Sequence, residues 1–253
     1  MMEVKNIKQK NEEISDFIHL VASNTDAAKV KENSIKSNPF WIARNINLWQ
    51  RRPVQWSIKR IFDLIASTLG IIMISPILAL IAIAIKLDSK GPVFFKQKRV
   101  GLYGREFYMY KFRSMVQDAE KEIEAMKCFN ETNDVMFKMY EDPRITKIGK
   151  IIRKYSLDEL PQLFNVIRGE MSLVGPRPPL MSEVENYNAW HYLKFATLPG
   201  LTGMWQVNGR AKIKNFDTVV KLDYSYIDKW NLKLDFYLLF KTIPVVILAK
   251  GAA

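Results

Sequence analysis

One cysteine, Cys128, and two histidines, His19 and His191, are all that the 253 residues offer as soft metal ligands. An internal disulfide is impossible, and a Cys/His cluster for zinc or an iron–sulfur centre is excluded. Several common catalytic signatures are missing as well. The chain contains no G-x-x-x-x-G-K-[ST], no G-x-G-x-x-G, no G-x-S-x-G, no H-E-x-x-H and no D-x-D. What is left for chemistry is carboxylates and a surplus of cations, 38 Lys and Arg against 26 Asp and Glu, for a net charge of +12. With 48% hydrophobic residues the chain can bury a core, so a disordered chain is excluded.

The mean hydropathy of −0.11 averages a polar body with one segment of opposite character. From Leu64 to Ile85 the sequence reads LIASTLGIIMISPILALIAIAI, with no charge between Asp63 and Lys86. As a straight helix such a run is just long enough to span a bilayer core. It is no cleavable signal peptide, because about sixty polar and basic residues precede it. Ser75-Pro76 interrupts it near the middle, where proline lacks an N–H and clashes with the preceding turn. The flanks do not choose a side: Arg51, Arg52, Lys59 and Arg60 precede the run, and Lys86, Lys90, Lys96, Lys98 and Arg99 follow it. A kinked spanning helix and a re-entrant helix–break–helix both fit, the latter needing Ser75 or another polar atom to satisfy the backbone freed at the break. A buried core helix is the third reading.

Residues 1 to about 38 are Lys/Asn/Glu-rich and read as weakly helical or flexible. From Phe40 to Trp56, Trp41, Trp49 and Trp56 mix with Arg44, Arg51 and Arg52, a composition that suits a membrane interface or an ordinary amphipathic helix. After Gly91-Pro92, alternating aromatics on either side of Gly101-Leu102-Tyr103-Gly104 predict a β-hairpin. A solvated helix is predicted from Val116 to about Lys127, then a loop. Helical pieces follow in ITKIGKIIRKYS, SLDELPQLFNVIRGE and SEVENYNAWHYLKFA, the last with Ser182 and Glu185 as a capping box. Leu198–Arg210 reads as a Gly/Pro-punctuated loop, 216–230 as a helix and 232–248 as an amphipathic surface helix.

Asp158-Glu159, inside Ser156-Leu157-Asp158-Glu159-Leu160-Pro161, is the pair most able to carry chemistry. Either Ser156 or Asp158 can be the N-cap, and in both cases the carboxylates sit at a helix N-terminus. Complementing the helix dipole is the plainer explanation of acidic residues there. Lys147, Lys150, Arg153 and Lys154 lie just upstream and Gly175-Pro176-Arg177-Pro178 just downstream. Cations beside a carboxylate pair keep Asp158 ionised and able to hold Mg²⁺, while arginines clamp phosphate. Pro199-Gly200-Leu201-Thr202-Gly203 with Gln206-Val207-Asn208-Gly209-Arg210 lets backbone approach a ligand and offers polar contacts. A structural turn at each of these loops is the alternative.

Several stretches recur in one order: Lys59-Arg60-Ile61-Phe62-Asp63, the run with Ser75-Pro76, Tyr110-Lys111-Phe112-Arg113-Ser114-Met115, Ser156 to Leu163, Asn165-Val166, Gly169 to Pro178 and Gln206 to Arg210. Together they closely resemble the bacterial sugar transferases, the monotopic polyprenyl-phosphate phosphoglycosyl transferases, from about Trp56 to the C-terminus. Without a block of transmembrane helices ahead of the motifs, the chain resembles the catalytic-unit form. The resemblance implies an α+β, mainly helical fold. It divides into a polar extension with an interfacial segment over 1–55, a re-entrant membrane helix over 56–90 and a cytosolic catalytic domain over 91–253, with amphipathic surface helices. It implies Mg²⁺-dependent transfer of a sugar-1-phosphate from a UDP-sugar to a polyprenyl phosphate such as undecaprenyl phosphate, releasing UMP. Asp158 is then the nucleophile that forms a covalent phosphosugar intermediate and a ligand of the metal, and Glu159 positions metal or phosphate. Arg153, Arg177, Gln206 and Arg210 contact phosphates or nucleotide, and Lys59, Arg60, Ser75 and Pro76 set membrane topology. The expected place is the bacterial inner membrane, catalytic domain facing the cytoplasm, on anionic lipid, in exopolysaccharide, capsule, O-antigen or glycoconjugate synthesis.

Two other classes compete. A glycosyltransferase moving only the sugar would release UDP rather than UMP. A non-enzymatic basic protein is suggested by the net charge, but the cations are spread along the chain and no nucleic-acid-binding motif accompanies them, so no nucleic-acid partner is expected.

Overall fold

In the computed structural model, residues 40, 43–44, 52–117, 119, 142–209, 213 and 215–248 are described. The readings over 1–38, most of 116–127 and the loop after it lie outside them, as do Trp41, Trp49 and Arg210.

The apolar run belongs to α1 (Pro53–Asp88), a helix of 36 residues with Pro53 at its first turn, where a missing N–H costs nothing. Pro76 lies inside it and leaves the Ile72 carbonyl without its backbone donor. The Ser75 hydroxyl fills that place, donating to Ile72 O at 2.8 Å. The residues α1 turns inward in its first half are Trp56, Lys59, Asp63 and Ser67, three of them polar and spaced along one helix face. Its apolar residues point outward: Met73 is 79%, Leu80 67% and Leu87 83% exposed. Its most hydrophobic window is only 11% buried, so the core-helix reading is overturned. An outward apolar stripe of this size suits lipid, not water.

Both ends of α1 are held by the same body. Near its start, Lys59 Nζ pairs with Asp235 Oδ2 at 2.7 Å and donates to Val174 O at 3.1 Å. Arg60 donates to Val166 O and Ile167 O at 2.7 and 3.0 Å, where a helix end exposes unpaired carbonyls. Asp63 accepts from Ser172 Oγ at 2.7 Å and Leu173 N at 3.2 Å. Near its end, Ile81 and Ile85 pack with Phe112 and Ile152. There Asp88 accepts from Ile148 N at 3.0 Å, and Arg113 donates to Ser89 O at 2.7 Å and to Lys90 O.

The expected hairpin forms from β1 (Phe94–Val100) and β2 (Glu106–Phe112), antiparallel, with Gln97 opposite Met109. Next come α2 (Lys147–Lys154), a 3₁₀ turn (Leu157–Glu159), α3 (Gln162–Arg168) and β3 (Ser172–Val174). The stretch 182–196 is not one helix. It divides into α4 (Met181–Val184) and a 3₁₀ segment (Ala189–Ala196), and the capping residue is Glu183, which accepts from Leu180 N at 2.9 Å, rather than Glu185. The expected loop after Leu198 contains β4 (Gly200–Thr202), parallel to β3, and α5 (Met204–Val207). Here Gly175 and Gly200 let two backbones meet: a Cβ on Gly200 would stand 2.0 Å from Gly175 N. The close approach packs loop against loop.

The chain ends in α6 (Phe216–Lys229) and α7 (Leu232–Ile247). α7 is a surface helix as expected, with Asp235 and Leu238 inward and Phe240 and Ile247 outward. Trp56 is no interfacial residue: it is buried with its ring centroid 5.6 Å from that of Trp230. The main core gathers Leu163, Val166, Met171, Val174, Tyr226, Ile227 and Trp230 beneath α1. The mainly helical reading with small strands holds.

Removing one member of a buried ion pair strands the other. Lys59→Met should therefore destabilise the protein by about 3–5 kcal/mol, with Lys59→Met/Asp235→Leu recovering much of it. Thermal unfolding in detergent or nanodiscs checks this; a single variant as stable as the wild type would contradict the joint described here.

Candidate active site

The acidic pair is placed by a sharp bend. α2 is capped by Thr146, which accepts from Gly149 N, and ends at Lys154. Ser156 then takes a left-handed conformation (φ 54°), sparsely populated for a residue with a side chain. Of the two N-cap candidates, Ser156 holds the position before the 3₁₀ turn, and it makes no side-chain cap bond there. Leu157 packs beside the Ile81/Phe112/Ile152 cluster while Leu163 and Val166 enter the main core. Between these two anchors Asp158 is turned inward and buried.

Glu159 faces the hairpin, where Lys111 Nζ pairs with its Oε1 at 2.9 Å. Asn165, fully buried on α3, holds that hairpin in register. Its Oδ1 accepts from Tyr110 N at 3.0 Å, and its Nδ2 donates to Tyr108 O at 2.7 Å and Glu170 Oε2 at 2.6 Å. Lys111 is a site residue that sequence reasoning missed. It stands within Tyr110–Met115 as part of the resemblance, but its place beside Glu159 depends on a long-range partner that no local pattern gives.

Burial raises the pKa of Asp158 to about 6, with the Glu159 charge adding to the rise and Lys111 and Arg153 opposing it. The cations around Asp158 do favour its ionised form, as expected, but desolvation outweighs them. Asp158, Glu159, Arg153 and Lys111 thus form one electrostatic unit.

Arg177 stands in a second unit. Its guanidinium lies 3.6 Å from Glu183 Oε1 and over the Trp205 ring, 5.7 Å from the centroid. Lys194 and Asp223 lie 3.4 Å apart, both fully buried, and burial pushes each towards its neutral form. Lys194 and Asp223 had no sequence signal. Arg99 joins the two units, since both Arg177 and Glu159 act on its charge. Gln206 is 8% exposed, and a Cβ on Gly203 would stand 3.0 Å from its Oε1, so its carbonyl is turned into the fold. Arg210 lies outside the described residues.

Among the described residues no three His, Cys, Asp or Glu side chains converge into a metal cage. Two adjacent carboxylates fit Mg²⁺ in its usual manner, which takes one or two carboxylates and fills its shell with water and substrate phosphate.

A model of the bacterial sugar transferases matches residues 54–249. The chain belongs to the bacterial sugar transferase family. Its members in hand include the "Galactosyl transferase CpsE" of Streptococcus agalactiae, 45% identical over 194 residues, covering 77% of this chain and 43% of that protein. The "Exopolysaccharide production protein ExoY" of Rhizobium meliloti is 39% identical over 220 residues, 85% of this chain and 96% of that one. The "Undecaprenyl-phosphate galactose phosphotransferase" of Salmonella typhimurium is 42% identical over 205 residues, 77% and 41% of the two chains. This chain therefore spans nearly all of ExoY and less than half of the other two.

Because Asp158 ionises less readily in the fold than in the unfolded chain, its contribution favours the folded state below its ordinary value of 3.8. That contribution is lost as pH rises through about 6. Asp158→Asn should thus match the wild type in thermal midpoint below about pH 4 and exceed it above about pH 7. Equal midpoints across that range, followed by circular dichroism, would contradict the burial argument.

Proposed function

We propose that this sugar transferase moves a sugar-1-phosphate from a UDP-sugar to a polyprenyl phosphate, undecaprenyl phosphate being the acceptor named for its relatives, and releases UMP. The observation that carries the reading is Asp158: a buried carboxylate with a pKa near 6, flanked by Lys111 and Arg153, in a body crowned by an outward-facing apolar helix.

In the first half-reaction an Asp158 oxygen attacks the sugar-bearing phosphorus. The bond from that phosphorus to the bridging oxygen breaks, and UMP leaves with the electron pair. In the second, an oxygen of the polyprenyl phosphate attacks the same phosphorus, and the Asp158 carboxylate is the leaving group. Position and charge supply the acceleration. Lys111 and Arg153 lower the negative charge that the diphosphate meets near Asp158, and Arg177 offers a planar fork for phosphate oxygens. Lys111 also orients Glu159. Asp158 and Glu159 are the residues that would hold Mg²⁺, which when bound would supply charge neutralisation at the diphosphate.

The membrane reading rests on the two ends of α1. α1 runs unbroken through Ser75-Pro76, but its anchorage to one body at both Lys59–Asp235 and Asp88–Ile148 supports a re-entrant dip centred on Ser75-Pro76 over a span. The outward faces of α1 and α7 would then meet lipid, with the flanking cations on anionic headgroups. The body lies on the cytoplasmic face of the bacterial inner membrane, where its reaction begins the assembly of an exopolysaccharide, capsule or related glycoconjugate.

Membranes carrying the protein, incubated with polyprenyl phosphate, Mg²⁺ and UDP-glucose or UDP-galactose, should release UMP. Release of UDP instead would support the sugar-only transferase and overturn this reading. In the same vesicles, Arg52→Cys and Lys90→Cys should be labelled from one side; opposite sides would mean a spanning helix.

A further inference from the structure

Arg99 lies one residue from the end of β1, only 5% exposed, too deep to meet a substrate itself. Its Nη1 donates to Pro178 O at 3.0 Å and its Nη2 to Gln97 Oε1 at 2.5 Å. The neighbouring backbone N–H of Val100 donates to Pro179 O at 3.1 Å. The end of β1 therefore grips the Pro-Arg-Pro-Pro loop on either side of one peptide. Prolines 176, 178 and 179 have no N–H, so this loop presents mainly carbonyls, and at the buried Pro178 and Pro179 these need outside donors.

A neutral donor would meet that need more cheaply. A guanidinium here is desolvated and stands within reach of the like charge of Arg177; together these depress its pKa to about 9, against the pull of Glu183, Glu159 and Tyr187. Its Nε is buried without a partner among the described residues. A cation in a place that disfavours cations is explained by use, and the group it can serve is the one it holds. That group is the loop carrying Arg177, whose side chain is a third exposed.

We infer that Arg99 is a positioning residue for the donor's diphosphate, acting through Arg177: it fixes the Pro176–Pro179 loop against β1 and so fixes where the Arg177 guanidinium is presented. This rests on the phosphosugar-transfer reading above.

The test is a double-mutant cycle on UMP release, with kcat and KM for the UDP-sugar measured separately and thermal midpoints recorded. Arg99→Gln and Arg177→Gln should each lower kcat/KM by about 100-fold, and the double variant should be no worse than the poorer single within about threefold, because both remove the same interaction. Arg99→Lys, which keeps the charge, should recover about tenfold over Arg99→Gln. Multiplying losses in the double variant, or an Arg99→Gln enzyme within about threefold of wild type, overturns the inference while leaving the parent reading intact. No UMP from the wild type with any donor overturns both. Should Arg99→Gln fail to fold, Gln97→Leu loosens the same guanidinium without changing charge. It should cost about tenfold in kcat/KM with an unchanged midpoint; an unaffected kcat/KM would overturn the inference.

Discussion

The buried contact between Lys59 and Asp235 is the joint from which the rest of the architecture is set out. Four elements meet there: α1 through Lys59, β3 through the Val174 carbonyl, α6 through Tyr226, whose hydroxyl donates to Asp235 Oδ1 at 2.7 Å, and α7 through Asp235 itself. Trp230 adds a donor to Asp235 Oδ2 at 3.2 Å. With its oxygens shared among an ammonium, a phenol and an indole, the carboxylate meets the condition under which a charge can be buried at all. The joint fixes the direction in which β3 delivers Gly175-Pro176-Arg177 and the direction in which α1 leaves the body. Farther along α1, Ile81 and Ile85 close on Phe112 and Ile152, the residues beside Lys111 and Arg153. The apolar helix and the Asp158 carboxylate thus share one frame.

Within that frame the chemistry depends on a balance of two opposed effects on Asp158. Burial raises its pKa and cations lower it, leaving a group that is ionised at neutral pH yet poorly solvated. A desolvated carboxylate held in place is a better nucleophile than a hydrated one, since less water must be shed when it attacks. The second charged unit, Arg177–Glu183 with Lys194–Asp223, lies across Arg99 from this pair.

Much of this was legible in the sequence because it depends on local periodicity. The 22-residue apolar run of 64–85, the hairpin around Gly101–Gly104, the surface helix at 232–248 and the need for a partner at the Ser75-Pro76 break are all local facts. The inward face of α1 was legible too, had the spacing of Lys59, Asp63 and Ser67 been read as one polar stripe. Trp56 misled because tryptophan suits both an interface and a core, and only Trp230 decides between them. Lys111, Arg99, Lys194 and Asp223 were not legible. Their meaning lies in partners 48 residues away for Lys111–Glu159 and 79 for Arg99–Pro178, and no periodicity reaches that far. At the Pro199–Gly203 loop the sequence left a ligand approach and a structural turn both open, because the same absence of a side chain serves a ligand or another backbone. Only the parallel pairing of β3 with β4 shows which.

The central claim is that Asp158 carries the phosphosugar between donor and acceptor. It is tested most directly by supplying a UDP-sugar without polyprenyl phosphate and measuring the intact mass of the protein on rapid quenching. The account predicts one sugar phosphate added per chain, mapped to the peptide containing Asp158, with UMP released in matching amount. Unchanged mass, with UMP appearing only once the acceptor is added, would contradict it and point to direct transfer between the two substrates.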